Sequence, residues 1–287
     1  MSLFAPIGKA ASLATTFFRL SCKESTIRDV QPSSIGIFAV MAQGSGHIHF
    51  LDGLVEPSHP LTLISPTNAA ATFVVEGPWE VFGAMLSPVG WASLTRRSAA
   101  AEGDRLYEAS ALLPAPMIKA GKTILRDFAK LPDEAMGTLL SKALLDSATP
   151  IPERHIQFIQ AISEWLARSL SPDVGELPAK TCYSNRQVQR LAEQYFGLTP
   201  KALARKYRAL RAAVLLSRPG VTADDVAAIQ EHFYDQSHMI REMRRFAGRT
   251  PARIADPDTP YLSSFLGLRD FRESGERMAP IPSNLRA

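Results

Sequence analysis

The chain has 287 residues, 46% of them hydrophobic and 21% charged, with 32 Lys/Arg against 28 Asp/Glu and a formal net charge of +4. These are the proportions of a globular protein and exclude a collagenous, coiled-coil or wholly disordered one. The longest unbroken apolar stretch covers only residues 35–42, too short for a bilayer span, and the opening MSLFAPIGKA lacks a basic start followed by a long apolar run, so a soluble cytoplasmic protein without membrane contact is predicted.

Residues 15–86 read as a series of short strands. TTFFRL, GIFAVMAQ, HIHFL, LTLI, ATFVV and WEVFGAML are apolar or alternating runs, separated by QPSS, QGSG, LDG, EPSHP, SPTN and EGP, the composition of turns. With no helix between them, antiparallel pairing into a small barrel or a jelly-roll sandwich is expected. From Pro88 the period becomes helical: WASLTRRSAA, MIKAGKTILRDFAKL, DEAMGTLLSKALLDS and ERHIQFIQAISEWLARSL place apolar residues three and four apart. The expected class is α+β, in four parts. Residues 1–115 form a β-rich sensing or dimerisation domain, 116–172 a helical linker region, 173–254 an all-helical domain, and 255–287 a Pro-containing tail with one short helical candidate, YLSSFLGLRDF.

Charge is uneven along this order. Residues 184–254 hold thirteen Lys/Arg and six Asp/Glu, whereas the remainder is slightly acidic; a concentrated basic segment attracts polyanions. The same segment contains a duplication with an offset of 51 residues. Ser184, Arg190, Gly197, Thr199 and Pro200 recur as Asp235, Arg241, Gly248, Thr250 and Pro251. Ser and Asp suit a helix N-cap, Gly a left-handed stop, and Thr-Pro a fresh helix start. In the first copy Val188, Leu191, Ala192 and Tyr195 make an apolar stripe, leaving Arg186, Gln189, Arg190 and Glu193 on the other side. In the second, Met239, Met243 and Phe246 form the stripe and Gln236, Ser237, Ile240, Arg241 and Arg244 point outward. Such outward groups can hydrogen-bond base edges and phosphates in a major groove, although a solvated face is their commoner meaning; two copies in the one basic segment favour the groove. Between them PKALARKYRALRAAVLL reads as one helix of seventeen residues, about 26 Å long, which could hold two probes roughly one DNA turn, ~34 Å, apart.

The run SNRQVQRLAEQYFGLTPKALARKYRALRAAVLL with FYDQSHMIREMRRFAGRTP resembles the double helix-turn-helix domain of AraC/XylS-type transcription regulators. The resemblance implies recognition helices starting after Ser184 and Asp235, with DNA contacts by Arg186, Gln189 and Arg190 in the first and by Gln236, Ser237, His238, Ile240 and Arg241 in the second. The face analysis agrees except at His238, expected at the helix edge, against phosphate or packed locally. Ile240 could touch a thymine methyl or pack on the preceding helix. VGELPAKTC and TADDVAAIQEH would be the scaffold helices, the second capped by Thr222 with Asp225 at N3. Where the family commonly has Gly before Phe233, this chain has His232, so a different turn is expected there. Members commonly carry an N-terminal β-barrel, often cupin-like, that senses a small molecule or mediates dimerisation. The resemblance therefore implies a transcription regulator, an activator and not an enzyme, with double-stranded DNA as partner, no cofactor, and RNA polymerase, a small-molecule effector and a second copy as further candidates.

The competing reading is a metal-dependent cupin-like enzyme or ligand carrier with an appended helix-turn-helix domain. His47 and His49 share one strand face as an H-x-H pair, with Glu56 and His59 nearby, but no third histidine follows in residues 60–154, so no metal site is expected. Gly121-Lys122-Thr123 has Pro116 where a phosphate loop needs its first glycine, and no G-x-S-x-G or H-E-x-x-H occurs. Cys22 and Cys182 make no C-x-x-C motif or disulfide framework and are each read as a small buried side chain. If the barrel binds a ligand, Phe38, Phe50, Phe73, Trp79 and Phe82 are candidate lining residues, although such aromatics are more often core.

Overall fold

Two long antiparallel strands organise the N-terminal half, β4 (Gly36–His49) and β7 (Ala71–Leu86), paired along most of their length with Phe38 opposite Ala84 and Ile48 opposite Phe73. The computed structural model describes residues 2–218, 220–254, 256 and 261–262. On its free side β7 pairs with β2 (Ala14–Cys22) over one half and β3 (Thr26–Gln31) over the other. β4 likewise carries β6 (Leu61–Ile64) and β5 (Val55–Pro57). β1 (Ser2–Phe4) and β8 (Leu106–Glu108) complete an eight-stranded antiparallel sheet, ordered β1-β2-β7-β4-β6-β8 along its main path. Among the described residues its end strands do not pair, so it curls without closing.

Two of the expected separators lie inside strands. QGSG interrupts the ladder of β4 with register shifts on either side of Gln43, and EGP sits in β7 at the cis Gly77–Pro78 bond. Gly44 adopts φ +84°, and a side chain on Gly46 would collide with the Val74 carbonyl of β7. These glycines admit close backbone approach in a bulged strand, which is their other use besides turns.

Alternation gives the sheet two apolar faces. Phe17, Phe38, Val40, Phe82 and Leu86 meet Trp91, Met117, Ile124, Met136 and Leu140 from α1 (Pro88–Thr95), α2 (Ala115–Asp127) and α3 (Asp133–Ser147). The opposite face, with Leu20, Ala39, Met41, Phe73, Val75 and Val81, surrounds a cavity of about 120 Å³. The next helix, α4 (Glu153–Arg168), leaves this layer and places Phe158, Ile162, Trp165 and Leu166 in the core of the C-terminal helices.

Those helices are α5 (Leu177–Thr181), α6 (Asn185–Phe196), α7 (Pro200–Leu216), α8 (Ala223–Gln230) and α9 (Gln236–Phe246). Of the helical candidate in the tail, Tyr261 and Leu262 are helical and the rest lies outside the described residues. Cys182 corrects the expectation of a buried thiol: it is exposed, at φ 56° between α5 and α6, while Cys22 is half-buried. No helix among the described residues is long and apolar enough to cross a membrane.

Candidate nucleic-acid interface

The repeated caps act as their residue types demand. Ser184 and Gln187 form a reciprocal capping box at the start of α6, and the Asp235 carboxylate accepts the His238 N–H at 2.6 Å to start α9. Thr222 and Asp225 make a second box on α8. Gly197 and Gly248 stop α6 and α9 at φ 81° and 84°. The turns before the two helices differ. Cys182 takes the left-handed position in the first, whereas the second closes with His232 N–H to Ile229 O at 3.2 Å and Phe233 N–H to Gln230 O at 2.8 Å. His232 thereby avoids positive φ, and the strain a non-glycine residue would bear there does not arise.

With Val188, Leu191, Ala192 and Tyr195 buried in the helical core, α6 shows Arg186, Gln189 and Arg190 to solvent. Arg190 shares the rim of an open cleft with Arg96 and Arg97 of the N-terminal half. Behind it His155 Nδ1 meets Tyr195 OH at 2.8 Å, and burial, then the Arg154 and Arg190 charges, holds this imidazole below its ordinary value. α9 likewise buries Met239, Met243 and Phe246 and exposes Gln236, Ser237 and Arg241, with Ile240 half-buried.

His238 is engaged inside the protein. Its Nε2 lies 3.0 Å from Glu242 Oε1, and its Nδ1 accepts the Tyr234 N–H at 3.3 Å. Glu242 is buried and also receives Arg205 Nε at 2.6 Å and Arg208 Nη2 at 2.7 Å from α7. The cluster fixes α9 on α7. Missing from the sequence reading was Tyr234, 93% exposed beside the Asp235 cap. The only signal for it was two adjacent aromatics, of which Phe233 takes the buried place.

The basic segment divides by the same logic. Lys206 and Arg211 are buried, Arg205 and Arg208 hold Glu242, and Arg249 pairs with buried Asp29. Arg211 reaches the end of α4, donating to Leu166 O and, at 2.6 Å, to Ser169 O, and burial draws it down to about 10. The other eight, Arg186, Arg190, Lys201, Arg218, Arg241, Arg244, Arg245 and Arg253, are exposed.

Residues 177–256 match the family model of a helix-turn-helix domain. This segment is an AraC-type helix-turn-helix domain. The chain that carries it is a DNA-binding transcription regulator. Three solved structures of ToxT from Vibrio cholerae are similar in outline. An apo form with a single substitution aligns at 10% identity over 86% of this chain and 97% of that one, with a TM-score of 0.47. The complex with (E)-4-(8-methylnaphthalen-1-yl)but-3-enoic acid gives 11%, 87%, 97% and 0.43, and the unsaturated fatty acid complex 11%, 83%, 93% and 0.42. A likeness at that level transfers no residue role and no ligand. No curated protein matches the chain in sequence.

The AraC-type domain is anchored by the rear ends of both its candidate recognition helices. Ala99 and Ala100 donate to Gln194 O at 2.9 Å and Glu193 O at 3.1 Å, at the C-terminus of α6. Ser33 and Ala70 donate to Phe246 O at 2.8 Å and Arg245 O at 2.7 Å, at the C-terminus of α9. Loops of the N-terminal half thus satisfy the Gln194, Arg245 and Phe246 carbonyls, which the helices leave without partners, and share Glu193 O with the Gly197 N–H. Lys206 Nζ, midway along α7, donates to Ser34 O at 3.1 Å and Thr67 O at 3.2 Å. Asp29, besides Arg249, accepts the Tyr261 and Leu262 N–H groups at 2.9 and 3.1 Å.

In the N-terminal half, Phe73 and Trp79 line the cavity. Phe38 and Phe82 point the other way, beneath the helices, because their positions have the opposite parity along β4 and β7; Phe50 is buried but off the wall. The His47 and His49 rings meet edge-on with centroids 4.8 Å apart. Among the described residues no group of three or more His, Cys, Asp or Glu could hold a metal ion, and the Glu56 carboxylate accepts the Leu106 N–H.

Proposed function

We propose that this regulator reads a specific DNA sequence by inserting the N-terminal turns of α6 and α9 into successive major grooves of one duplex. Arg186, Gln189 and Arg190 would contact the first groove, and Gln236, Ser237, Ile240 and Arg241 the second. Tyr234 would meet the backbone beside it, and His238 would act through Glu242. The observation that carries this reading is the polarity of the anchoring: both helices are held at their C-termini, while their polar N-terminal turns stand in solvent. A groove-reading helix uses its N-terminal residues on base edges. The seventeen-residue α7 between them spans about 26 Å, which suits probes one helical turn apart. The eight exposed cations supply the charge for phosphate contact.

The reading carries a division into a β-rich sensing domain, residues 1–115, a helical region, 116–172, and a reading domain, 173–254, with the tail behind. It also carries a non-enzymatic role, a small-molecule effector in the sheet cavity, RNA polymerase and a second copy of the chain as partners, and a cytoplasmic place of action. Selection of bound fragments from random DNA tests it. A motif of two half-sites about one turn apart is expected, with log Kd rising steeply with log salt. Recovery of a single half-site, or of no enriched sequence, would refute the two-groove arrangement.

A further inference from the structure

One wall of the sheet cavity is also part of the contact that holds the DNA-reading domain. Gln31, Pro32 and Ser34 line the cavity, and Ser34 Oγ is buried without a hydrogen-bond partner among the described residues. The backbone of the same segment faces the other way: Ser33 N–H caps α9 at Phe246 O, and Ser34 O accepts Lys206 Nζ from α7. The rest of the wall is largely apolar, with Phe18, Phe73 and Trp79 as its aromatics. No Lys, Arg, Asp or Glu contributes, and His47 is its one ionisable residue of the imidazole kind.

Each of these facts restricts the occupant. A formal charge would meet no Lys, Arg, Asp or Glu on this largely apolar wall, which is disfavoured, whereas one polar group directed at Ser34 Oγ would satisfy an atom otherwise left unpaired. The volume of about 120 Å³ is near the roughly 150 Å³ of a dry apolar cavity that holds benzene, which is room for about one ring. We propose that the cavity binds a small uncharged aromatic molecule bearing one hydrogen-bonding group. Its occupancy is transmitted through the Ser33–Ser34 backbone to the C-terminus of α9. Ligand and relay deepen the regulator reading and rest on it for their biological meaning, but both are measurable on the protein without DNA.

The test uses the full chain with p-cresol, toluene and benzoate, which share a ring and differ in their polar group. Calorimetry is expected to show p-cresol binding at least tenfold more tightly than toluene, with benzoate not competing. Ser34→Ala should shrink the p-cresol advantage several-fold. With p-cresol saturating, amide hydrogen exchange at Ser33 is expected to change several-fold, while Ala99 and Ala100, which cap α6 away from the cavity wall, keep their rates. Equal affinity for p-cresol and toluene, or competition by benzoate, overturns the ligand class. An unchanged Ser33 amide, or an equal change at Ala99, overturns the relay. Failure of the regulator reading would show separately, as absence of sequence-selective DNA binding.

Discussion

Replacing Glu242 by alanine removes the one carboxylate on which α9 is held to α7. The buried acceptor serves two guanidinium groups and one imidazole nitrogen: Arg205 at 2.6 Å, Arg208 at 2.7 Å and His238 at 3.0 Å. Breaking a buried ion pair by deleting one partner typically costs about 3–5 kcal/mol, because the surviving charge is stranded. Arg205 has 42% of its side chain exposed and can turn to water, so its share is small, whereas Arg208 is only 14% exposed and keeps its cost. The lower end of the range, ~3 kcal/mol, is therefore expected in a urea unfolding series. DNA binding offers a sharper readout. Fluorescence anisotropy on a two-half-site duplex should show Glu242→Ala losing discrimination against a scrambled second half-site while still rejecting a scrambled first one. A change below about 0.5 kcal/mol in stability, with second-site discrimination intact, would refute the assignment of Glu242 as the residue that orients α9.

Arg190→Ala is expected to weaken specific binding by roughly 1–3 kcal/mol if the guanidinium pairs with a guanine, and mainly to reduce the salt slope by about one if it meets phosphate; titration at several salt concentrations separates the two. Ile240→Ala is expected to relax preference at one thymine in a selection from random DNA if the half-buried side chain meets a thymine methyl; an identical selected motif would make it purely structural. His155 gives a pH dependence. Its imidazole is held below 6.5 in the folded protein, first by burial and then by Arg154 and Arg190, so the unfolded chain binds the proton more readily. The stabilisation is complete above the unfolded value and is lost as pH falls from there through the folded one. His155→Gln should flatten the stability profile between about pH 5 and 7, as read by denaturant melts; an unaltered slope would count against it.

The C-terminal elements were legible because their signals are local. Ser184, Asp235, Thr222, Gly197 and Gly248 each act within a turn of their own position, and the apolar stripe of α6 or α9 is fixed by a period of 3.6. The sheet was only half legible. Its inner runs carried alternating apolar residues, but β1, β3, β5 and β8 are short or polar, and Gly44-Ser45-Gly46 and Gly77-Pro78 have turn composition while lying within long strands. Parity also decided which aromatics line the cavity: Phe73 and Trp79 face it, and Phe38 and Phe82 do not. No composition argument gives that parity before the register is known. Long-range partnership was invisible. Nothing near Lys206 in the chain announces Ser34 and Thr67, and nothing near Arg249 announces Asp29, so the charge of the basic segment includes five cations that are buried or held in ion pairs within the protein.

Because loops at Ser33, Ala70, Ala99 and Ala100 grip the ends of both candidate recognition helices, the phase between two half-sites would not be set by the connecting rod alone. A body that touches no nucleotide would share in fixing the operator's geometry. Promoters whose half-sites drift by a base pair could then be recovered by substitutions in those loops, far from any base, and two regulators with identical reading residues could serve differently spaced promoters.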